Sequence, residues 1–412
     1  MGASPAAGRF ARRLVDSGVA HPRPPAGPMP DTTVVIPARD HHDGLRRSLD
    51  ALSDLTSLRV IVVDDGSSQP VRIERGAPTR ASVVRLDPPG GPAAARNAGW
   101  RLADSEIVVF LDADCVPVDG WLNTMLRHFA DPGVAAVAPR IVSDSSSGTD
   151  LAEYELLNSP LDRGPREAPV RPRSGVSYVP SACLAIRRRA LVDLDGFNET
   201  LRFGEDVDLV WRLDRRGWSV RYEPAASVIH PPRPSLRSWL GQRFDYGGSA
   251  AQLAALHDRD VAPLDVSRWS AAAWTLAAAG HPIAGGMLVG GTSAALARRA
   301  GRDRETAREL FGLALRGNLF AGPRIAEAIR RAWLPPAMLA LALIPSGRTR
   351  RRSAAAVMMA FALPLTDWAV RRPPVDAARW TALRIADDLS YQAGLWFGAA
   401  KKRSLKALLP RF

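Results

Sequence analysis

Cysteine is nearly absent from this 412-residue chain: there are two, Cys115 and Cys183, with no CxxC spacing. That excludes a disulfide scaffold and a thiolate zinc site, and it suits a reducing cytosol. The opening stretch, MGASPAAGRFARRLVDSGVAHPRPPAGPMP, lacks the apolar centre of a secretory signal. No G-x-G-x-x-G follows the first strand-like run, which weakens a dinucleotide reading. Nor is there an interleaved aromatic and basic module that would stack bases, so the formal charge of +13 does not point to nucleic acid. It leaves an anionic membrane surface or a phosphorylated substrate as the partner. No internal repeat is present.

What is present is an ordinary apolar share of 46%, enough for a sizeable core, arranged as strand, turn and helix in repetition. Residues 1–31, rich in Arg and Pro, read as a linker or as the tail of a preceding segment. From Thr32 the strand Thr33-Val34-Val35-Ile36 stops at Pro37, and Leu45, Leu49 and Leu52 follow at helical spacing. Val60 to Val63 form a second strand ending in Asp64-Asp65-Gly66-Ser67, and Ser82 to Leu86 a third. After a Gly/Pro break at 88–92 comes a helix over 93–102. The fourth strand, Ile107 to Leu111, runs into Asp112-Ala113-Asp114. Continuous apolar strands alternating with helices imply a Rossmann-like α/β domain, its sheet mostly parallel and covered on both faces. Its ligands bind beyond the carboxyl ends of the strands. Residues 140–180 read as a loop insertion before a strand-like Ser177-Tyr178-Val179. The α/β domain is expected over 32–260. Residues 261–412, dominated by Ala, Gly, Leu and Arg, read as a helical extension.

Asp112 and Asp114, two residues apart where a buried strand ends, can hold magnesium or manganese against a diphosphate, because both ions prefer hard oxygen ligands. A lone pair of this kind is also a common turn. Glu205 and Asp206 open a helix after a Gly-rich turn. They can complement the helix dipole, or act as a base that takes a proton from an acceptor hydroxyl. His230, at the end of the strand Ala226 to Ile229, fits a third metal ligand as well as a structural role.

Taken together, these motifs resemble the GT-A glycosyltransferases of family 2, from about Thr32 to Leu256. Pro37-Ala38-Arg39 matches the family's donor-binding turn, and Asp64-Asp65-Gly66-Ser67 its nucleoside-recognising step, with Asp65 as the recognising acid. Gly91 through Arg96-Asn97-Ala98-Gly99 matches the segment beside the nucleotide. Asp112 and Asp114 fall on the metal motif, and Glu205-Asp206 on the motif that supplies the base, with Asp206 in that role. The resemblance implies a metal-dependent enzyme that inverts the anomeric carbon in one displacement. Within the family, SYVPSACLAIRRRALVDLDGFNETLRFGEDVDLVWRLDRRGWSVRYEPAASVIH and YGGSAAQLAALH are similar to the mycofactocin-system glycosyltransferases, as is the upstream LVDSGVAHPRPP. Those enzymes usually carry a further segment ahead of LVDSG. This narrower resemblance implies UDP-glucose as donor and a peptide-derived redox cofactor or its precursor as acceptor.

Other features admit two readings. Trp211 and Trp218 stack on an acceptor or pack in the core. Gln242-Arg243-Phe244 loosely resembles an acceptor-binding QxxRW, and Tyr246-Gly247-Gly248-Ser249 lines the acceptor site or is only a loop. Arg187-Arg188-Arg189 reads as a solvated helix start. Ala271–Leu296 is free of charge but Ala-rich, Trp333–Ile344 and Ala354–Leu365 are short for a span, and Gly347-Arg348-Thr349-Arg350-Arg351-Arg352 lies between these last two. This third is either a packed helical domain or an interfacial anchor whose arginines meet anionic headgroups at the cytoplasmic face. Two further functions stay open: a cell-wall or polyprenyl-lipid glycosyltransferase, and a non-catalytic sugar-nucleotide-binding scaffold.

Overall fold

Valine and isoleucine runs build a nine-stranded sheet in the first of two units, Met1–Arg233 and Pro234–Phe412. The structure, a computed structural model, describes residues 4–25, 27–73, 80–144, 147–301, 303–345 and 347–412. In the first unit the strands are β1 (Thr32–Ala38), β2 (Arg59–Asp64), β3 (Ala81–Arg85), β4 (Ile107–Leu111), β5 (Val116–Pro117), β6 (Val134–Ser143), β7 (Ala168–Pro169), β8 (Cys183–Arg187) and β9 (Ser219–His230). They lie in the order β3-β2-β1-β4-β8-β6-β9-β5, with β7 against β9. The expected parallel sheet is one half of it, since β3, β2, β1 and β4 all run together. The whole is mixed, because β8 runs antiparallel to both β4 and β6. Its residues Cys183 to Arg187 form the strand that had been expected at Ser177–Val179, where there is none. Pro37 does not end β1 but is carried within it, paired with Val63.

Among the described residues, seven α-helices accompany the sheet: α1 (Pro5–Asp16), α2 (His42–Ala51), α3 (Pro92–Leu102), α4 (Trp121–Leu126), α5 (Asp150–Asn158), α6 (Arg188–Leu194) and α7 (Glu205–Arg215). Helix α3 lies directly on β1, and only glycine fits at 99, since a Cβ there would stand 2.2 Å from Val35 Cγ1. Helix α2 buries Leu45 and Leu49 in the core formed with Val34, Ile36, Val60 and Val109. Its buried Ser48 hydroxyl lies 3.0 Å from the Ala113 carbonyl and 2.5 Å from that of Cys115, one donor between two acceptors of the acidic turn.

Residues 1–31 depart from the linker reading, although residues 1–3 and 26 lie outside the described part. Ser4 caps α1, accepting from Ala7 N. Arg12 then pairs with Asp131 at 2.7 Å, and Asp16 with Arg171 at 3.6 Å. Local capping and ion pairs hold a segment that its Arg and Pro content marked as irregular.

The second unit is helical: α8 (Leu236–His257), α9 (Arg268–Ala278), α10 (Pro282–Ala300), α11 (Arg304–Ala328), α12 (Leu334–Leu343), α13 (Arg348–Arg371) and α14 (Ala377–Lys401). The units part at Arg233/Pro234 rather than near 260, because α8 packs along α14. That crossing is built on small residues. A Cβ on Gly247 would meet Tyr391 O at 1.9 Å, and one on Gly394 would meet Phe244 O at 1.8 Å. The Tyr246–Ser249 stretch is therefore helical, and its glycines serve backbone approach. A single π-turn, Ile329–Trp333, places buried Arg330 2.6 Å from Asp388 and Arg331 3.0 Å from the same carboxylate. Ala271–Leu296 is broken into α9 and α10 at Gly280–Pro282. Around Ala354–Leu365, by contrast, α13 extends through Pro364 to 24 residues. Among the described residues, α13 is the one helix long and apolar enough to cross a membrane, with 11% of its most apolar stretch buried.

Candidate active site

A cleft of about 790 Å³ opens in the first unit beyond the carboxyl ends of β1, β2 and β4. The strand order changes direction between β1 and β4, and sheets of this kind bind ligands at that point. The ends of these strands bring Pro37, Arg39, Asp65, Asp112 and Asp114 to one rim. His230, leaving β9, and Arg233 close the other side.

Asp114 and His230 lie together, with Asp114 Oδ1 3.6 Å from His230 Nε2. Among the described residues, the cluster whose ligating atoms lie within 4.8 Å of one another is Asp114, Cys115 and His230. The Cys115 thiol is fully buried, and burial, reinforced by Asp112 and Asp114, pushes it well above its ordinary value. It stays neutral and leaves the oxygen and imidazole donors as the site. A carboxylate beside an imidazole, open to a cleft, fits a divalent cation that completes its shell with substrate oxygens. Asp112 lines the same cleft but stands outside that cluster, engaged by Arg96.

Arg96 is the hub of the site. It is 4% exposed on α3, donates from Nη2 to Asp112 Oδ1 at 2.7 Å and from Nη1 to Glu205 Oε1 at 2.9 Å. Its Nε has no partner. The two acidic motifs, far apart in sequence, are thus joined through one guanidinium. Gly204, with φ of 80°, turns the chain into α7 and presents Glu205 and Asp206 in its first turn. Glu205 is buried, and burial raises its carboxyl above the ordinary 4.5, Asp206 adding to this against the pull of Arg96. Burial raises Asp206 as well, against hydrogen bonds from Val207 and Ser181. Those bonds run from Val207 N to Oδ1 at 2.8 Å and from Ser181 N to Oδ2 at 3.2 Å. With Glu205 fixed on Arg96, Asp206 is the partly exposed member of the pair.

Three residues expected at the nucleotide make structural contacts of their own. Asp64 is 1% exposed and faces away from the cleft. Burial would raise its carboxyl, but bonds from Ser67, Val71 and Arg85 bring it down to about 2, and it braces the turn against β3. Asn97 is fully engaged in holding the 195–199 turn. Its amide donates to Phe197 O and Glu199, and its carbonyl accepts from Phe197 N and Trp100. Asp65 does line the cleft, and its carboxylate also accepts from Gly90 N at 2.7 Å and Gly91 N at 2.9 Å. It thus both lines the cleft and shapes the Gly-rich loop.

Sequence reasoning missed Glu199, Thr200, Arg202, Phe203 and Arg233, which line the cleft. The bracketing Gly196 and Gly204, both left-handed, were the available signal. Arg39, Arg202 and Arg233 form no ion pair in the described chain, so three cations face a cleft that also holds carboxylates. Trp211 is core, 4% exposed and donating to Ser177 O, and Trp218 lies under Arg189; neither lines the cleft. Arg243 is 2% exposed and paired with Asp387, so the QxxRW likeness is structural. The Arg187–Arg189 stretch does open a helix, α6, and Arg189 is exposed, but Arg187 is buried at the end of β8, donating to Val134 O and Phe129 O.

The model of glycosyl transferase family 2 matches residues 33–194. Over 415 residues, 98% of this chain and 87% of the relative, the sequence is 43% identical to the pre-mycofactocin glycosyltransferase of Mycobacterium tuberculosis, in two strains. It is 32% identical over 219 residues to succinoglycan biosynthesis protein ExoU of Rhizobium meliloti, covering 48% of this chain and 60% of that one. A mannosyltransferase from Pyrobaculum calidifontis, solved with GDP-Man and Mn2+, aligns over 95% of both chains at 18% identity and a TM-score of 0.49. That last likeness is too loose to bear on the chemistry.

Proposed function

This chain belongs to glycosyl transferase family 2, its first unit a GT-A fold with a helical extension, and we propose that it transfers glucose from UDP-glucose, with inversion, to the peptide-derived redox cofactor mycofactocin or its precursor. The observation that carries the reading is that Asp112, Asp114, His230 and Arg96 line one cleft at the sheet's switch point, where Arg96 also holds Glu205, the neighbour of Asp206. Asp114 and His230, with Asp112, would hold manganese or magnesium, which neutralises charge on the departing diphosphate. Arg39, Arg202 and Arg233 are the unpaired cations able to bind diphosphate oxygens, and Asp65 and the Gly90-Gly91 loop are positioned for the nucleoside end. The acceptor hydroxyl oxygen bonds to the anomeric carbon as the bond from that carbon to the diphosphate breaks. Its proton passes to Asp206, whose raised affinity for a proton suits a base working near neutral pH. An intact base and metal corner argue against a bare scaffold.

The acceptor assignment rests on the 43% identity to the pre-mycofactocin enzyme, which spans both units rather than the catalytic one alone. A lipid-linked acceptor is the second reading. What favours it is the exposed apolar surface of the helical unit, with Leu343 74%, Met358 69% and Met359 68% exposed and no buried residue in α12. On the favoured reading that surface, with Arg348, Arg350, Arg351 and Arg352 beside it, is a peripheral anchor at the cytoplasmic face of the membrane. The test is transfer by purified protein in the absence of lipid, offered UDP-glucose with the mycofactocin peptide intermediate or with a polyprenyl phosphate, and read by mass. A hexose added to the peptide supports the proposal. Addition only to the polyprenyl phosphate overturns it in favour of the second reading.

A further inference from the structure

Arg96 engages one acid of the pair expected to hold a metal. A buried guanidinium is costly unless it is paired, and Arg96 meets that need by spanning Asp112 and Glu205. In doing so it takes the carboxylate that the metal corner lacks, for Asp114 and His230 lie together while Asp112 stands apart from their cluster. We infer that Arg96 is a positioning residue that occupies Asp112 in place of a cation. A free divalent ion therefore binds weakly, and the nucleotide diphosphate is needed to bring it in. The inference rests on the metal-assisted reading above and adds an order to it.

When the ion arrives with a diphosphate, the phosphate oxygens supply ligands and negative charge together. Asp112 can then turn from Arg96 to the cation. Arg96 keeps Glu205 and gains a free Nη2 beside its unpartnered Nε, two donors for an anionic oxygen of the incoming ligand. The exchange leaves no buried charge unpaired at any stage. It also keeps a site with four neighbouring carboxylates, Asp112, Asp114, Glu205 and Asp206, from filling with metal before the donor is present. By linkage, UDP must tighten the metal by the same factor as the metal tightens UDP.

The test is titration of the full chain with Mn2+, free ion read by electron paramagnetic resonance, with and without UDP. Arg96→Met removes the charge and keeps the length. It should bind Mn2+ without UDP roughly tenfold tighter or more than the wild type, since a cation a few ångströms away is lost, and the gain from UDP should shrink. Arg96→Lys keeps the charge and should behave as wild type without UDP. Glu205→Gln leaves Asp112 as the remaining carboxylate hydrogen-bonded to Arg96 and should weaken free Mn2+ binding, which keeps the test open should Arg96→Met fail to fold. A residue with only a structural role would lower metal affinity on removal or leave it alone. Unchanged or weaker free Mn2+ binding by folded Arg96→Met, with wild type binding Mn2+ in the presence of UDP, overturns this inference alone. No Mn2+ binding by the wild type in either condition overturns the metal reading beneath it.

Discussion

Asp206→Asn separates proton acceptance from shape. The side chain keeps its volume and planarity, but one of its two oxygens becomes an amide nitrogen. The oxygen that remains would stay on Val207 N, the shorter of the two bonds at 2.8 Å. The amide would then face Ser181 N, where the carboxylate had accepted at 3.2 Å. Donor against donor in a buried place costs about 1–3 kcal/mol. Against that, a negative charge beside Glu205 disappears, and with it part of what raises the Glu205 carboxyl. The net change in stability should thus be small, a melting temperature within a few degrees of wild type. Transfer should fall by roughly 10²- to 10⁴-fold, the usual worth of a general base, or about 3–5 kcal/mol of barrier. UDP affinity should survive, because Asp206 is not among the residues lining the cleft. The assay is UDP release at saturating donor and acceptor, with calorimetry for UDP binding and a thermal melt as control. If Asp206→Asn turned over within a few-fold of wild type while Glu205→Gln did not, the roles of the two carboxylates would be reversed.

Chelation with EDTA should abolish transfer, with manganese or magnesium restoring it, and Asp114→Ala should weaken UDP binding only when metal is present; full activity after exhaustive chelation would contradict the metal corner. Asp65→Ala should raise the Kd for UDP and also lower the melting temperature, because the carboxylate holds Gly90 and Gly91; two lost bonds amount to roughly 1–3 kcal/mol, read by calorimetry and a melt. Gly247→Ala should destabilise the protein by about 1–3 kcal/mol or more, since the new methyl would lie 1.9 Å from Tyr391 O, whereas an unchanged melt would show that the α8–α14 crossing is loose. In metal-free protein, stability should fall as pH rises above 4.5, the ordinary value for Glu205, until that residue ionises in the folded state; its raised affinity for protons favours the fold at low pH and is lost above it. Chemical denaturation across pH should show Glu205→Gln flattening that slope.

Much of the catalytic unit was legible because its signals are local. The runs Val34–Ile36, Val60–Val63 and Ile107–Leu111 fixed three strands and placed Asp65, Asp112 and Asp114 at their ends. What escaped depends on contacts between distant residues. Nothing near Arg96 in sequence reveals that it joins Asp112 to Glu205, and Asn97 matches a nucleotide-side motif while spending all its bonds on the 195–199 turn. Antiparallel β8 was missed because CLAIR is short and follows a Ser- and Pro-rich stretch. The glycines of YGGSA looked like a loop until α14 supplied the helix they pack against. Ala354–Leu365 looked too short to span a membrane, yet α13 runs on both sides of it and through Pro364.

The anomeric configuration of the sugar on the peptide-derived acceptor, determined by proton magnetic resonance of the product formed from UDP-α-glucose, tests the central claim most directly. A single displacement with Asp206 as the base predicts a β-linked glucose. An α-linked product, or no product on this acceptor under conditions where UDP is released to another, would contradict it.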